Sequence, residues 1–574
     1  MASTIADVSD STDAESSSKG NAPAVDEASV VIVGGGPHAL AALACLHDGV
    51  EADESAENKT PVCVIDPGSH FMQSWNSRFD ALEIKSLRSP TLAHPAAFDP
   101  TALLDYATRE NRTSELMDAP VAAGHGKKAW LASTDLSDRG AQLKALPSNA
   151  LFRDFCASLE KTLPHRWLSG KATSVCKDAS TGKFRVHYRA TAGEQERTVV
   201  ARAVILATGP VGKWAIPTPF EPHLHDASRL ILHTEDLLAH GTGTLSEEIT
   251  RRCPGESARV LVIGGGISAA QAALAAFRAG HQVVLRSRRP LATRAFDIGA
   301  EWLDVRSADR LRFEFLCLPM KQRGKAVRDA AAGGSVPANY MEELHSLSKT
   351  SGGALQIEVD EDIECSEVCI GADGQSLVVN GETFGMVILA TGVVTAPSSS
   401  PLYTSVAEGF NAPLVDGFPR VDPKLRWMAG QNLFVLGANA MLELGPGGGN
   451  LMGAMRGARV VSYELHSLMN PGVDRRDAEA RGFQVNQYVS LGDRVRFGDG
   501  GDAEVDFLAQ QLKLTPHAEA NLRKAQKAHA SQKNSKATPY LKGASLKGTL
   551  KGERDPMGNG GNGLHPRTRY ATYW

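Results

Sequence analysis

The chain has 574 residues, of which 42% are hydrophobic and 22% are charged, and its formal net charge at pH 7 is -4. This composition is typical of a globular protein of about two to four domains, and it argues against a chain built to bind nucleic acid or anionic membranes. The eight cysteines are scattered and none stands in a Cys-x-x-Cys pair. We therefore predict neither a disulfide framework nor a metal site.

The two ends of the chain differ in composition from the rest. Residues 1–28 are rich in Ser, Asp and Ala and lack the basic start and apolar core of a secretory signal, which predicts a disordered leader. Residues 471–574 are predicted to be a largely disordered extension, with a hairpin at 491–500 and a helix at 508–530. A basic tract follows at 533–551, which either contacts a partner or is simply exposed to solvent. The longest apolar run follows the leader and is broken by Gly, Pro and His, so no membrane span is predicted and a cytoplasmic protein is expected.

The first nucleotide-binding motif follows a β-branched run, Val30–Val33, which is typical of a buried parallel strand. The run stops at three glycines and continues into a predicted helix at 37–46. Gly34-x-Gly36-x-x-Ala39 fits the pattern in which the first glycine forms a tight turn and the second lets the backbone approach a pyrophosphate. The residues predicted to bind the cofactor here are Gly34, Gly36, Pro37, His38 and Ala39.

An acidic residue ends the second predicted strand, at 61–65. Asp66 is placed to hydrogen-bond a ribose hydroxyl of the dinucleotide. The spacing from Gly34, 66 − 34 = 32 residues, exceeds the usual distance of about 20, and a polar insert at 51–60 accounts for the excess. A glycine-rich loop in an unrelated α/β fold is the alternative interpretation.

The next part of the chain predicts a helix, a hairpin and another buried strand. Residues 151–159 place apolar side chains on one helical face, and 172–175 and 184–188 are predicted hairpin strands. The strand at 203–206 runs into Ala-Thr-Gly, where Thr208 and Gly209 are predicted to bind the cofactor.

A second nucleotide-binding motif begins 264 − 34 = 230 residues after the first. A predicted strand at 260–263 leads into Gly-Gly-Gly-Ile-Ser-Ala and a helix at 268–279, and the residues predicted to bind are Gly264, Gly266, Ile267 and Ser268. The following strand ends in arginines, including Arg286 and Arg288, where the first motif has Asp66. Guanidinium groups match a 2′-phosphate, so this site is predicted to prefer NADPH, unless the arginines simply solvate the end of the strand.

The last nucleotide-binding features follow a stretch, 294–363, in which the sequence shows little regularity. A strand at 386–389 runs into a second Ala-Thr-Gly with Thr391 and Gly392, and a strand at 432–436 precedes a glycine-rich turn and a helix at 451–468. The residues predicted to bind the cofactor here are Thr391, Gly392, Gly437, Gly449 and Asn450. A helix that starts behind glycines leaves N–H groups free to stabilise negative charge, although the glycines could equally serve helix packing alone.

The segment between the first motif and the helix at 151–159 is rich in aromatic residues, Pro and charge. Trp75, Arg88 and His94 are candidates for lining a substrate cavity, by analogy with the segment that covers the cofactor in flavin enzymes. A surface loop with structural charges is the alternative.

Taken in order, these motifs resemble the flavoproteins with two dinucleotide-binding domains, and most of all the class B flavin monooxygenases of the N-hydroxylating branch, which includes ornithine and lysine monooxygenases. Trp75 with Leu87-Arg88-Ser89-Pro90 is similar to the Trp and Leu-Arg-Asp-Pro of that branch, and His233-Thr234 is similar to the His-Ser of flavin monooxygenases. The Met-Gln and Lys that precede Leu-Arg-Asp-Pro in amino-acid hydroxylases are not found at matching offsets.

The resemblance implies an α/β fold with two Rossmann-like domains. It places an FAD-binding domain at 29–215 and 395–470, interrupted by an NADPH-binding domain at 216–394. FAD would bind at the loop that starts at Gly34 and NADPH at the loop that starts at Gly264.

The implied activity is an NADPH-using monooxygenase that inserts one oxygen atom from O2 into the N or S of a small molecule. The resemblance implies no side-chain acid or base, so the catalytic residues are unknown, as is the oligomeric state. Two alternatives stay open: a regulatory protein of the oxidative-stress-induced growth inhibitor type with little turnover, and a flavin reductase that inserts no oxygen.

Overall fold

The computed structural model describes residues 26–47, 62–117, 139–237, 243–254, 257–302, 305–316, 318–331 and 334–469. Within these ranges no helix is long and apolar enough to cross a membrane, and no group of three or more His, Cys, Asp or Glu side chains is arranged to hold a metal ion. The hairpin, helix and basic tract predicted beyond residue 470 lie outside the described residues. The predicted leader is too long by three residues, because the first strand already begins at Asp26.

Twenty strands and thirteen α-helices are described. The strands are β1 Asp26–Val33, β2 Val62–Asp66, β3 Leu116–Met117, β4 Leu146–Pro147, β5 Arg166–Lys177, β6 Phe184–Ala190, β7 Glu196–Leu206, β8 Gly212–Trp214, β9 Ile231–His233, β10 Arg259–Ile263, β11 Gln282–Ser287, β12 Leu355–Val359, β13 Val368–Ile370, β14 Leu377–Val379, β15 Glu382–Phe384, β16 Met386–Leu389, β17 Val393–Thr395, β18 Leu414–Val415, β19 Phe418–Pro419 and β20 Leu433–Val435. The helices are α1 Pro37–His47, α2 Gln73–Ala81, α3 Ala102–Arg109, α4 Arg139–Lys144, α5 Asn149–Lys161, α6 Leu245–Arg252, α7 Ile267–Arg278, α8 Val305–Leu316, α9 Met320–Ala331, α10 Ala338–Thr350, α11 Pro401–Gly409, α12 Met441–Leu444 and α13 Leu451–Met469.

The first sheet is a parallel layer that continues into an antiparallel meander. Its parallel part runs in the order β20-β7-β1-β2-β5, and β6 joins the outer halves of the long strands β5 and β7. Val30, Val31 and Ile32 of β1 are fully buried. Both faces of this strand are covered, which explains why its sequence is a continuous apolar run rather than an alternating one.

The second sheet is entirely parallel, in the order β12-β11-β10-β16-β9. Alternate residues of its strands pack on opposite faces. Val260 and Val262 of β10 join the core formed with α7 and α10, whereas Leu261 and Ile263 join the core formed with β14 and β15. This is the arrangement of a Rossmann-like nucleotide-binding unit with a small antiparallel sheet on one side.

The stretch 294–363 was predicted to have little regularity, and this prediction is wrong, because it contains α8, α9, α10 and β12. For α9 the reason lies in how little apolar surface the helix buries, since its buried residues are Arg323 and Gly324. The apolar periodicity that identifies a helix in a sequence is therefore missing from α9.

The chain passes between the two sheets twice, and the two crossings pair with each other. β8 and β17 form a two-stranded antiparallel ribbon, the crossing ribbon, in which Trp214 lies opposite Val393. Each crossing starts from a glycine with a left-handed backbone, Gly209 (φ 72°) and Gly392 (φ 76°). The crossing ribbon therefore joins the ends of the two Ala-Thr-Gly strands.

Candidate cofactor and active site

The first glycine loop, Gly34–Gly36, is held between the ends of two strands. Gly34 has φ 114°, and its N–H donates to Ile65 O at 2.8 Å. A Cβ at this position would lie 2.3 Å from Ala207 O, so only glycine fits. Next to Gly36, in contrast, a Cβ would meet no described atom within 4 Å. The open space at Gly36 is where the predicted motif needs a phosphate to approach the backbone.

Asp66 lies beside this loop at the end of β2. Its carboxylate accepts hydrogen bonds from Gly35 N–H and Gly68 N–H, both at 2.8 Å. Burial raises the pKa of the Asp66 carboxyl, whereas these two N–H groups act to lower it. The half-buried carboxylate thus stands at the position where the motif expects a ribose hydroxyl to be bound.

His38, in the first turn of α1, connects this loop to the far end of the chain. It is buried, and its Nε2–H donates to Gly449 O at 3.2 Å. Burial lowers the pKa of His38 to about 4, so the ring is neutral and Nδ1 carries the lone pair. Nδ1 has no hydrogen-bond partner among the described residues. The predicted cofactor loop therefore contains a buried acceptor with no partner among the described residues.

A buried polar network supports the first Ala-Thr-Gly. Asn439 Nδ2 donates to Gly209 O at 2.7 Å and lies 2.8 Å from the Tyr403 hydroxyl, which is 3.1 Å from Thr208 Oγ1. Burial raises the pKa of Tyr403 to about 12, so its hydroxyl stays protonated. Sequence reasoning missed Tyr403 and Asn439, although the Gly-Ala-Asn-Ala run directly after β20 was a signal for a buried asparagine.

The closing loop, residues 445–449, precedes helix α13. Asn450 caps this helix, since its Oδ1 accepts from Gly453 N–H at 3.0 Å, and its side chain also bonds Asp297. Residues from the second part of the chain cover the loop: Phe315 lies 3.3 Å from a Cβ position on Gly445, and Ile298 lies 2.8 Å from one on Gly447. Apolar side chains of the second unit thus cover the first part of the closing loop.

The second glycine loop, Gly264–Gly266, repeats the geometry of the first. Gly264 N–H donates to Arg286 O at 3.0 Å, and a Cβ on Gly264 would lie 2.4 Å from Ala390 O. Helix α7 starts directly after it with Ile267 and Ser268. Gly334 packs against this loop, because a Cβ on Gly334 would lie 3.3 Å from the Gly266 Cα. The two predicted nucleotide-binding loops are therefore built in the same way at the ends of the two sheets.

Arg286 does not present the free guanidinium that was predicted to bind a 2′-phosphate. Its Nη2 lies 2.7 Å from Glu358 and 3.0 Å from Glu382, and the side chain is buried. Burial alone would lower the pKa of Arg286, but these carboxylates raise it. The prediction ended the strand at residue 285, whereas β11 continues to Ser287. Residue 286 is therefore still part of the strand, and because side chains alternate between the two faces of a sheet, it points toward the small antiparallel sheet. Arg288, with a side chain 65% exposed, is the predicted arginine that remains accessible.

The second Ala-Thr-Gly is fixed by a histidine. His233 Nδ1 accepts from Glu235 N–H at 3.2 Å, so its Nε2–H donates to Thr391 Oγ1 at 3.3 Å, and Thr391 in turn donates to Ala215 O. The Trp214 ring stacks on His233 with centroids 5.1 Å apart. Burial lowers the pKa of His233, whereas nearby acidic residues act to raise it. Trp214 was not predicted, and it covers the histidine at the crossing ribbon.

The three candidates for a substrate cavity lie in different surroundings. Trp75 is partly exposed, stacks on Phe79 at 4.9 Å and has a buried Nε1–H without a partner among the described residues. His94 has no exposed surface and stands edge-on to Phe155 at 5.3 Å, so it belongs to the core and not to a cavity. The Arg88 guanidinium donates to backbone carbonyls of the second nucleotide-binding unit rather than pointing into open space.

Two family profiles match parts of the chain. A family described as FAD-NAD(P)-binding matches residues 31–211, and a family described as pyridine nucleotide-disulphide oxidoreductase matches residues 140–327. No match to the sequence is found among curated proteins. The two profile matches together cover both predicted nucleotide-binding loops.

Several solved structures share the fold. The cadaverine monooxygenase of the desferrioxamine biosynthetic pathway from Erwinia amylovora, bound to FAD, is 18% identical with a TM-score of 0.55, over 78% of this chain and 96% of its own. The reduced ornithine hydroxylase of Pseudomonas aeruginosa is 18% identical with a TM-score of 0.56, over 78% of this chain and 100% of its own. The ornithine N-hydroxylase of Kutzneria sp. 744, with reduced FAD, NADP+ and L-ornithine, is 16% identical with a TM-score of 0.55, over 77% of this chain and 100% of its own.

These matches confirm, at the level of the fold, the predicted resemblance and the α/β class, and the profile over residues 31–211 is that of a unit described as FAD-NAD(P)-binding. Identities this low show a shared fold and do not transfer a substrate. The chain has the two-unit architecture of FAD- and NAD(P)-binding oxidoreductases.

Proposed function

We propose that this protein is a monooxygenase that uses FAD and NADPH to insert one oxygen atom from O2 into the N or S of a small molecule. The observation that carries the proposal is the pair of glycine loops, each wedged against an Ala-Thr-Gly strand and joined through one crossing ribbon. Such a pair suits a reaction that passes electrons between two dinucleotides. The likeness to solved N-hydroxylating enzymes supports oxygen insertion as the outcome.

The first unit would hold FAD. Gly36 offers the open backbone approach for the pyrophosphate, Asp66 a carboxylate for the ribose, and His38 a buried acceptor at Nδ1. When bound, the flavin supplies the redox and oxygen chemistry, and the protein supplies orientation and exclusion of water. The start of α13, capped by Asn450, provides a positive helix end near this loop.

The second unit would hold NADPH at Gly266 and Ser268. Because Arg286 is neutralised by two carboxylates, we assign recognition of the 2′-phosphate to Arg288. The nearest carboxylate to Arg288 is that of Glu364 at 4.0 Å, a weak and solvent-exposed pair that a phosphate can displace.

The test begins with the purified protein. We expect a flavin absorption spectrum, its bleaching by NADPH without oxygen, and, in air, NADPH oxidation that rises with an amine or thioether and yields the corresponding hydroxylamine, N-oxide or sulfoxide. A colourless protein that takes up no added FAD would refute the proposal. Rapid NADPH oxidation that yields no oxidised amine or thioether across such a panel would instead indicate a reductase, and a bound flavin that NADPH cannot reduce would indicate a binding protein.

A further inference from the structure

We propose that Arg88 is a positioning residue that sets the second glycine loop, and with it the nicotinamide cofactor, relative to the flavin. The inference rests on the proposed function and assigns to Arg88 a role other than the predicted contact with substrate. It follows from the partners of the guanidinium and from what those partners touch.

The Arg88 guanidinium makes five hydrogen bonds to one short region of the second unit. They run from Nε to Ala295 O at 3.2 Å, from Nη1 to Ser335 O at 3.1 Å, and from Nη2 to Arg294 O at 3.0 Å, Phe296 O at 2.8 Å and Ser335 Oγ at 2.9 Å. Four of the five acceptors are backbone carbonyls, which have fixed directions. The planar guanidinium spans these acceptors, with the two N–H groups of Nη2 shared among three of them, and the ammonium of a lysine, with three donors at one point, cannot span the set.

Arg88 itself is anchored to the first unit through the segment that leads into α5. Leu87 N–H donates to Pro147 O at 3.1 Å, Asn149 N–H donates to Lys85 O at 2.8 Å, and Ser86 bridges to Ser148. Leu87 is buried in the core of the first sheet. The backbone that carries Arg88 is therefore fixed to the start of α5, and the side chain cannot move without breaking its bonds.

The segments that accept hydrogen bonds from Arg88 lead directly to the second glycine loop. Arg294 N–H donates to Val336 O at 3.0 Å and Val336 N–H donates to Ala292 O at 2.9 Å, so the two loop segments that Arg88 binds are paired with each other. Gly334, next to Ser335, packs on Gly266. A continuous path of contacts thus runs from the start of α5 through Arg88 to the loop predicted to hold the NADPH phosphates.

Another contact between the two parts of the chain provides a comparison. Arg78 pairs with Glu235 at 2.7 Å, but its side chain is 42% exposed, and Glu235 lies beyond the end of β9 and outside the segments that Arg88 binds. The pair is bidentate and joins the same two units, but it does not touch the segments that Arg88 binds. The Arg78→Lys variant therefore tests whether weakening any contact between the two units slows hydride transfer, or only weakening the contact made by Arg88.

Hydride transfer depends steeply on alignment, and a displacement of about 1 Å can slow such a step roughly 100-fold. In the Arg88→Lys variant we expect NADPH to reduce the bound flavin about 10- to 100-fold more slowly. The Kd for NADPH should change little, because the variant keeps the second glycine loop and Arg288. Reduction by dithionite should be unchanged, because it does not depend on the position of NADPH.

The experiment compares full-length, FAD-loaded wild type, Arg88→Lys and Arg78→Lys by anaerobic stopped-flow reduction and by amide hydrogen exchange. We expect exchange at the Arg294 and Val336 amides to accelerate about tenfold in Arg88→Lys and to stay as in wild type in Arg78→Lys. Unchanged exchange in Arg88→Lys would overturn the inference, as would an equal loss of hydride transfer in both variants. If NADPH fails to reduce the wild-type flavin, the proposed function fails, and the exchange measurement still decides the role of Arg88.

Discussion

Gly34 and Gly182 share a left-handed backbone but differ in their surroundings. Both have positive φ, 114° and 68°, so any other residue is strained at either position. A Cβ on Gly34 would lie 2.3 Å from Ala207 O, whereas a Cβ on Gly182 would meet nothing within 4 Å. The pair therefore separates the cost of backbone strain from the cost of a clash in the first glycine loop.

We expect Gly34→Ala to lower the free energy of unfolding by more than the roughly 1–3 kcal/mol that strain alone costs, and to abolish retention of FAD. The reason is that the added methyl pushes the loop away from the end of β7. Flavin absorbance per protein and urea unfolding measure the two effects. Gly182→Ala, the control, should lose only the unfolding free energy that backbone strain costs and should keep its flavin. A Gly34→Ala protein that retains flavin would contradict the prediction.

The arginines of the second unit give a prediction for cofactor preference. If Arg288 binds the 2′-phosphate, Arg288→Ala should weaken NADPH binding roughly 10- to 100-fold, as expected for a hydrogen bond to a charged group, and leave NADH binding unchanged. The side chain is exposed, so stability should not change. Titration of the oxidised protein with each reduced nucleotide measures this difference.

Arg278→Ala is the matched control for Arg288, since Arg278 is an exposed arginine at the far end of α7 that pairs with Glu343. It should bind NADPH like the wild type. Equal losses of NADPH and NADH affinity in Arg288→Ala would mean that this side chain does not read the 2′-phosphate.

At the scale of elements, the function depends on how closely α13 sits on the closing loop. A Cβ on Gly453 would lie 2.3 Å from Gly448 O and 2.4 Å from Gly447 O, and backbone atoms cannot move aside as a flexible side chain does. We expect Gly453→Ala to displace the helix start and to destabilise the protein by roughly 1–3 kcal/mol, with weaker FAD binding. Thermal unfolding with and without added FAD measures both effects.

Gly409 at the end of α11 serves as the control for Gly453, because a Cβ there meets no atom within 4 Å. Gly409→Ala should be neutral or stabilising by up to about 1 kcal/mol, since alanine favours the helix. A Gly453→Ala protein that behaves in the same way would show that the close approach of α13 to its loop has no role.

The elements with a strong local pattern were predictable and the others were not. Strand β1, helix α1 and the turn at Gly34 follow from an apolar run, three glycines and a helix-forming segment, all within a few residues of each other. Helix α9 escaped prediction because it buries an arginine, Arg323, whose Nη1 donates to Leu442 O at 3.0 Å across the structure. Likewise the burial of Arg286 depends on Glu382, a residue 96 positions away, which no local pattern encodes.

At the scale of the whole molecule, the two nucleotide-binding units are held together by polar contacts between distant segments. The Arg78 guanidinium donates to Glu235, Ser246 Oγ donates to the Glu83 carboxylate, and Arg88 binds the region around Ser335. The partners lie 157 to 247 residues apart in the chain. The sequence motifs locate each cofactor loop, but the relative placement of the two loops is a property of these contacts.

Acid should destabilise the whole molecule, because buried neutral histidines lie in its core. Burial lowers the pKa of both His38 and His94 to about 4 in the folded protein, below the 6.5 of an unfolded chain. The unfolded state therefore binds more protons between these values, and stability that is complete above pH 6.5 is lost as the pH falls toward 4. Each histidine contributes at most about 3 kcal/mol. Urea unfolding at pH 7.5 and pH 5 should show the loss, and His94→Leu should reduce the difference between the two pH values. If His94→Leu loses as much stability between pH 7.5 and pH 5 as the wild type does, protonation of His94 does not oppose folding.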